Sequence, residues 1–292
     1  MVFVCAFVYF YYFCTEIINQ LTMFRNLPPI TKNLLLINLI CYLADVVFQR
    51  YGISFSHVFG LHYLTASDFR LWQPLSYMFM HANFSHIFFN MFAVLMFAPA
   101  LEDRWGSKRF LIYYLITGLG AAVVQEAVWA MQLQPVLNSV DPLVAAKLAN
   151  RVVTIGASGA VFGILLAFGW LFPDVRMFIM FIPIPIRART LVIIYALIEL
   201  FTGLAPTAGD NVAHFAHLGG MIFGWLLILW WRYRGYDGFD STPWNDGTLR
   251  RWWENIKRWI RDKWNDMFPP RHPRIKHDKD SNYRDYHYHE PL

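Results

Sequence analysis

The sequence predicts an all-α integral membrane protein, a bundle of six transmembrane helices with both termini on the cytoplasmic side. Three observations predict it. Of 292 residues, 57% are hydrophobic and only 15% charged, whereas a soluble protein carries roughly 45–50% apolar residues even with glycine counted. Apolar windows close to the ~20 residues that cross a hydrocarbon core of about 30 Å recur along the chain. Lys and Arg gather in alternate connections between those windows.

Residues 1–32 read as an N-terminal extension. Its opening, MVFVCAFVYFYYFC, is apolar but short, and no basic segment precedes it as a secretory signal requires. It is either membrane-associated or a start-site artefact covering residues 1–22. Six spans follow, at about 33–49, 84–101, 110–131, 152–172, 190–206 and 211–231, and make up a core over 33–232. Arg25 and Lys32 precede the first. Arg104, Lys108 and Arg109 separate the second from the third, Arg176, Arg187 and Arg189 the fourth from the fifth, and Arg232 and Arg234 follow the sixth. Basic residues collect on the cytoplasmic side of short loops, so these connections are inside. Of the two long outer connections, 50–83 is too aromatic for a solvated linker and is expected to lie partly in the membrane interface, while 132–151 gives no such signal.

Residues 233–292 read as a cytoplasmic tail. In LRRWWENIKRWIRDKWNDMF, residues 249–268, apolar positions recur every three or four residues opposite a Lys/Arg face, the pattern of an amphipathic helix on a membrane surface. The net charge of +5 follows from cytoplasmic cations; no basic, aromatic-interleaved soluble domain points to nucleic acid. Cys5, Cys14 and Cys41 lack metal or disulfide spacing.

Polar residues inside spans are costly and therefore informative. Spans two, four and six run in the same direction, and Asn90, Ser158 and His217 each fall about six residues after the start of one of them. At 1.5 Å per residue all three reach a layer roughly 9 Å below the outer boundary. A serine there is a weak nucleophile until a neighbouring base takes its proton, and His217 is the candidate base. His86 and Asn90 share a helical face at i and i+4; with the backbone N–H of Ser158 they offer donors to an oxyanion. Gly156, Gly159 and Gly163 on span four are expected to face Gly220 and Gly224 on span six, since small residues let membrane helices approach.

Plainer readings compete. Ser158 alone fits a small-residue packing face, and His217 alone fits a buried hydrogen-bonding role. Zinc or copper held by His214, His217, His81 and His86 is a sharper rival, although H-E-x-x-H and a nearby carboxylate are both missing.

HANFSHIFFN at 81–90, GASG at 156–159 and AHLGGMIFG at 216–224 resemble the three signatures of the rhomboid intramembrane serine proteases, and ALEDRWG at 100–106 is similar to the segment after their second span. The resemblance covers about residues 33–232. It implies a rhomboid-like six-span bundle in which Ser158 is the nucleophile, His217 the general base, and His86 and Asn90 the oxyanion-stabilising pair. His81, Phe162 and His214 would line the cavity, and no metal or other cofactor would be needed. Substrates would be transmembrane proteins cleaved near the outer face; the lipid bilayer is the other partner, and nucleic acid is not one. The expected location is a multi-pass position in the bacterial cytoplasmic (inner) membrane. An inactive, client-binding relative of the same fold is the main alternative, with the metal-binding membrane protein behind it.

The sequence departs from the family pattern at a few positions. Trp72 matches a tryptophan of the first outer loop, but Gln73 stands where many members have arginine, which bears on loop packing. Phe162 stands where some members have tyrosine; it can stack on His217 but cannot donate a hydrogen bond. Asp210 precedes His217 by seven residues, about 10 Å along a helix, and Glu199 lies in a different span. The expectation is therefore a Ser-His dyad oriented by packing, not a triad. Span five holds one interior glycine, Gly203, and is the expected lateral gate, with Glu199 facing the bundle and holding it shut.

Overall fold

The computed structural model describes residues 27–179, 182–205 and 212–235, with Arg258 and Arg261 beyond them. The chain divides into two units, Met1–Asp240 and Ser241–Leu292. The N-terminal stretch 1–26 and, those two arginines apart, the amphipathic stretch 249–268 lie outside the described residues. Everything that follows belongs to the first unit.

Helix α1, Pro29–Gln49, starts on a proline, whose fixed φ suits a first helical turn and whose missing N–H is not needed there. The free N–H groups of Ile30 and Thr31 instead find the carboxylate of Glu102, at 2.9 and 2.7 Å, and Thr31 Oγ1 donates to it at 2.8 Å. A buried anion thus sits at the positive end of α1. Glu102 belongs to the last turn of α4, Phe84–Trp105, and also accepts from Ser107 Oγ at the start of α5, Ser107–Gln132. The ALEDRWG segment is therefore the joint that ties three helices together.

The connection 50–83 folds into short pieces: α2 (Phe55–Phe59), strand β1 (Leu61–His62), α3 (Gln73–Ser76) and a 3₁₀ turn at Tyr77–Phe79. Gln73, buried, organises it. Its Oε1 accepts from the backbone N–H of His62 and Arg70, and its Nε2 donates to the carbonyls of Val58 and Asp68. A neutral amide, both donor and acceptor, thus satisfies four backbone groups. Trp72 beside it is exposed.

After α6 (Gln134–Ser139) and α7 (Pro142–Arg151), strand β2 (Val153–Thr154) pairs antiparallel with β1, Leu61 opposite Thr154 and His62 opposite Val153. The expected span at 152–172 is correspondingly shorter: α8 begins at Ser158 and runs to Leu171, 14 residues. Val152, Val153, Thr154 and Ile155 are a β-branched run, which favours extended backbone over helix, and at about 1.5 Å per residue α8 is about 21 Å long. A β3–β4 hairpin (Arg176–Ile179 and Ile182–Arg187) leads to α9 (Ala188–Leu204), and the last described helix is α10 (His214–Tyr233). Among the described residues, four helices are long and apolar enough to cross a membrane: Pro29–Gln49, Phe84–Trp105, Ser107–Ser139 (α5 running on into α6) and His214–Tyr233.

The glycines bring α8 and α10 together at one level. A Cβ on Gly220 would stand 1.9 Å from the carbonyl oxygen of Gly159, so backbone meets backbone there. Lower down the expectation needs correction. Gly163 faces Thr117, and Gly224 faces Tyr113 and Thr117, because α5 fills the space between. Tyr113 then donates its hydroxyl to the Gly163 carbonyl at 2.8 Å.

Candidate active site

Ser158 is the first residue of α8. The first N–H groups of a helix have no partner within it and carry the positive end of its dipole, so Ser158 sits where a developing anion is favoured. The turn before it is fixed from two sides. Gly156 donates its N–H to the Tyr77 carbonyl at 2.9 Å, and β2 is paired to β1. Gly156 itself adopts φ +128°, a conformation that side-chain-bearing residues avoid.

His217 lies one turn into α10, buried, with Nε2 2.7 Å from Ser158 Oγ. Its ring stacks on Phe162, centroids 4.4 Å apart and planes within 11°. On the other edge its Nδ1 meets Glu199 Oε2 at 2.8 Å. The same oxygen lies 2.7 Å from Nδ1 of His214. The expectation that no acid reaches His217 is thereby corrected. Glu199 is on a different helix, but α9 runs antiparallel to α10 and its C-terminal end is beside the start of α10, where Gly203 meets His214 and Phe215. The separation in sequence, 18 residues, takes in the last turn of α9, the connection 205–213 and the first turn of α10.

These contacts dictate proton positions. A carboxylate only accepts, so Nδ1 of His217 carries the hydrogen and Nε2 presents its lone pair to the serine O–H. His86 has the opposite tautomer, since its Nδ1 accepts from the Ala82 N–H at 3.4 Å, leaving the proton on Nε2. That nitrogen faces the serine turn. A Cβ on Gly156 would stand 2.7 Å from His86 Nε2 and 3.6 Å from Ser158 Oγ, so any larger residue at 156 would push the two apart. Asn90, one turn further along α4, is buried, and its Nδ2 has no hydrogen-bond partner among the described residues. His81 is buried edge-to-face on His86, centroids 5.0 Å apart. Burial, with His86 adding to it, pushes the His81 imidazole down to about 3, so it remains neutral.

The four histidines of the metal alternative fall into two pairs: His81 packs on His86, while His214 and His217 are joined by Glu199. Their N···O separations, 2.7 and 2.8 Å, are hydrogen-bond lengths. Ligands about 2.0 Å from a tetrahedral metal stand roughly 3.3 Å apart. The carboxylate that the sequence reading found missing beside these histidines is supplied by Glu199.

Residues 68–234 match the rhomboid domain. The chain is 28% identical over 209 residues to rhomboid-like protein 11, chloroplastic, of Arabidopsis thaliana, covering 67% of this chain and 62% of that protein. It is 27% identical over 180 residues to RHOMBOID-like protein 2 of the same plant, 62% of this chain and 48% of the relative. To rhomboid protein 1, mitochondrial, of Saccharomyces cerevisiae it is 28% identical over 153 residues, 51% of this chain and 40% of the relative. The chain thus spans between two fifths and three fifths of the length of these relatives.

Proposed function

Because the chain belongs to the rhomboid family, we propose that it is an intramembrane serine endopeptidase that hydrolyses peptide bonds of transmembrane proteins near the outer membrane face. One observation carries the reading: Ser158 Oγ and His217 Nε2, 59 residues apart in sequence, lie 2.7 Å from each other at the head of a helix. In the reaction, Ser158 Oγ attacks the scissile carbonyl carbon while its proton passes to His217 Nε2. The carbonyl oxygen becomes an oxyanion held by the first N–H groups of α8, by His86 Nε2–H and by Asn90 Nδ2–H, which has no other partner among the described residues. When the tetrahedral intermediate collapses, the imidazolium returns the proton to the leaving amine, and an acyl-enzyme remains. Water, deprotonated by the same nitrogen, attacks the ester and frees the serine. The buried, neutral His81 and the half-buried His86 give that water polar surface to enter by.

The same reading makes α8 and α9 the fourth and fifth spans of a six-span core over 33–232, with residues 1–32 and the 233–292 tail both on the cytoplasmic side. It places the protein in a bacterial cytoplasmic membrane. Two of the relatives carry names that read chloroplastic and mitochondrial. The test is to co-express a panel of single-span proteins with the wild type and with Ser158→Ala. Fragments that need Ser158 support a protease. A folded wild type that yields none, and does not react with a fluorophosphonate, favours a client-binding relative of the same fold.

A further inference from the structure

Among the described residues, Glu199 is the one carboxylate that reaches the serine–histidine pair, and its setting is unusual. On α9, Ile193, Leu197, Ile198, Phe201 and Leu204 are exposed on the outside of the bundle, whereas Glu199 is buried. A carboxylate inside a membrane helix is costly unless it is paired. Here one oxygen, Oε2, accepts from the Nδ1–H of both His214 and His217, at 2.7 and 2.8 Å. His214 is held in turn: Thr202 Oγ1, which donates to the Ile198 carbonyl at 2.6 Å, lies 3.0 Å from the same Nδ1. The chain of contacts runs from Thr202 and His214 through Glu199 and His217 to Ser158 Oγ.

We propose that Glu199 is a positioning residue for His217: it fixes the tautomer and ring angle a general base needs, and opposes the positive charge the imidazole acquires when it takes the serine proton. This rests on the function proposed above and adds a third member to its serine–histidine pair. It replaces the expectation that Glu199 only latches a gate. His214 is the brace, since an oxygen bonded on two sides cannot swing away from His217 without losing both bonds. Phe162 fixes the ring from its face but cannot choose between tautomers, having no polar atom. Because Glu199 rides on α9 while Ser158 and His217 ride on α8 and α10, the base is oriented only while the outer end of α9 is seated against α10.

The test uses full-length protein in detergent or vesicles, with wild type, Glu199→Gln, Glu199→Asp, His214→Ala and Ser158→Ala measured side by side. Three quantities are read for each: kcat and KM on a cleaved single-span protein, the rate at which a small fluorophosphonate labels Ser158, and the melting temperature. Glu199→Gln keeps the shape but removes the charge and offers an N–H₂ that competes for the wrong tautomer. It is expected to lower kcat on the order of 10²-fold with KM little changed, and to slow labelling by a similar factor. Glu199→Asp, keeping the charge, should recover part of both, and His214→Ala should fall between wild type and Glu199→Gln. The proposal is overturned if Glu199→Gln cleaves and labels as fast as wild type. It is also overturned if that variant only melts earlier while its folded fraction labels normally, or if cleavage falls while labelling does not, which is the signature of a gate. Failure of the protease reading is visible separately: wild type then neither cleaves nor labels above Ser158→Ala, and both proposals fall together.

Discussion

Helices α9 and α10 are neighbours of the same serine but are built on opposite plans. On α10, Ala216, His217, Gly219, Gly220, Met221, Gly224, Leu227, Ile228 and Trp231 are all buried, and at Gly220 the backbone lies against that of Gly159 on α8. On α9 only Ala188, Leu191, Val192 and Glu199 are buried, and the first three belong to its inner half. The outer half is attached through polar contacts of Glu199 and Thr202 with α10 and an edge-to-face contact of Tyr195 with Phe162. In a bilayer the lipid tails are as apolar as the side chains, so close packing and polar contacts hold helices together, not exclusion from water. The α8–α10 seam uses the first of these and the outer half of α9 the second. A nucleophile and its base need a fixed separation, and the seam supplies it. An orienting carboxylate can be brought by a helix that is less firmly held.

The sharpest way to break this contrast is to put bulk into the seam. Gly220→Leu drives a side chain into the Gly159 carbonyl, backbone that cannot rotate away, and overpacking of this kind costs about 1–3 kcal/mol or more. Loss of the folded protein or of all labelling is expected, and thermal melting with fluorophosphonate labelling checks it; wild-type values for both would mean that the helices are not in backbone contact.

Next in size come the donors on α4. Asn90→Ala and His86→Ala each remove one of the proposed oxyanion donors, and loss of one such donor in a soluble serine protease costs on the order of 10²–10³ in rate. Comparing kcat for each variant, with Ser158→Ala as the floor, decides it. Unchanged rates in both would remove α4 from the chemistry.

The smallest effect belongs to the outside of α9. Ile193→Ala and Phe201→Ala change exposed positions, and substitutions away from packed features usually fall within about 0.5 kcal/mol. Melting temperature and Ser158 labelling should both stay near wild type. A large loss of either would show that α9 is packed as tightly as α10 and would erase the difference between them.

What was legible in the sequence divides along the same line. The polar layer of Asn90, Ser158 and His217 followed from counting residues into three spans that run the same way, and His86 from its place one turn before Asn90. The stacking of Phe162 on His217 followed from the family resemblance, in which some members carry tyrosine at that position. Glu199 was expected to face the bundle as a gate latch, but its contact with His217 was not, because it lies on a helix that runs the other way. Glu199 is five residues below Leu204 and His217 three below His214, about 7 and 5 Å from adjacent ends, so the same arithmetic places them at one level. The start of α8 was not legible from hydropathy, since VVTI is as apolar in a strand as in a helix; its pairing with Leu61 and His62, some ninety residues earlier, decides the boundary. Likewise the reach of Gln73 to four backbone groups depends on how the outer loop closes, which no local pattern encodes.

The central claim is that His217 activates Ser158, and the rate of serine labelling tests it most directly. Purified wild type, Ser158→Ala and His217→Ala would be treated with a fluorophosphonate under conditions where all three melt at the same temperature. The account predicts labelling of the wild type at one site, mapped to Ser158, and none in Ser158→Ala. In His217→Ala the rate should fall to the background level, and the double variant should be no worse than either single one, because the two side chains act as a unit. Labelling of His217→Ala at the wild-type rate would contradict the account, since a serine that reacts without that imidazole is not activated by it.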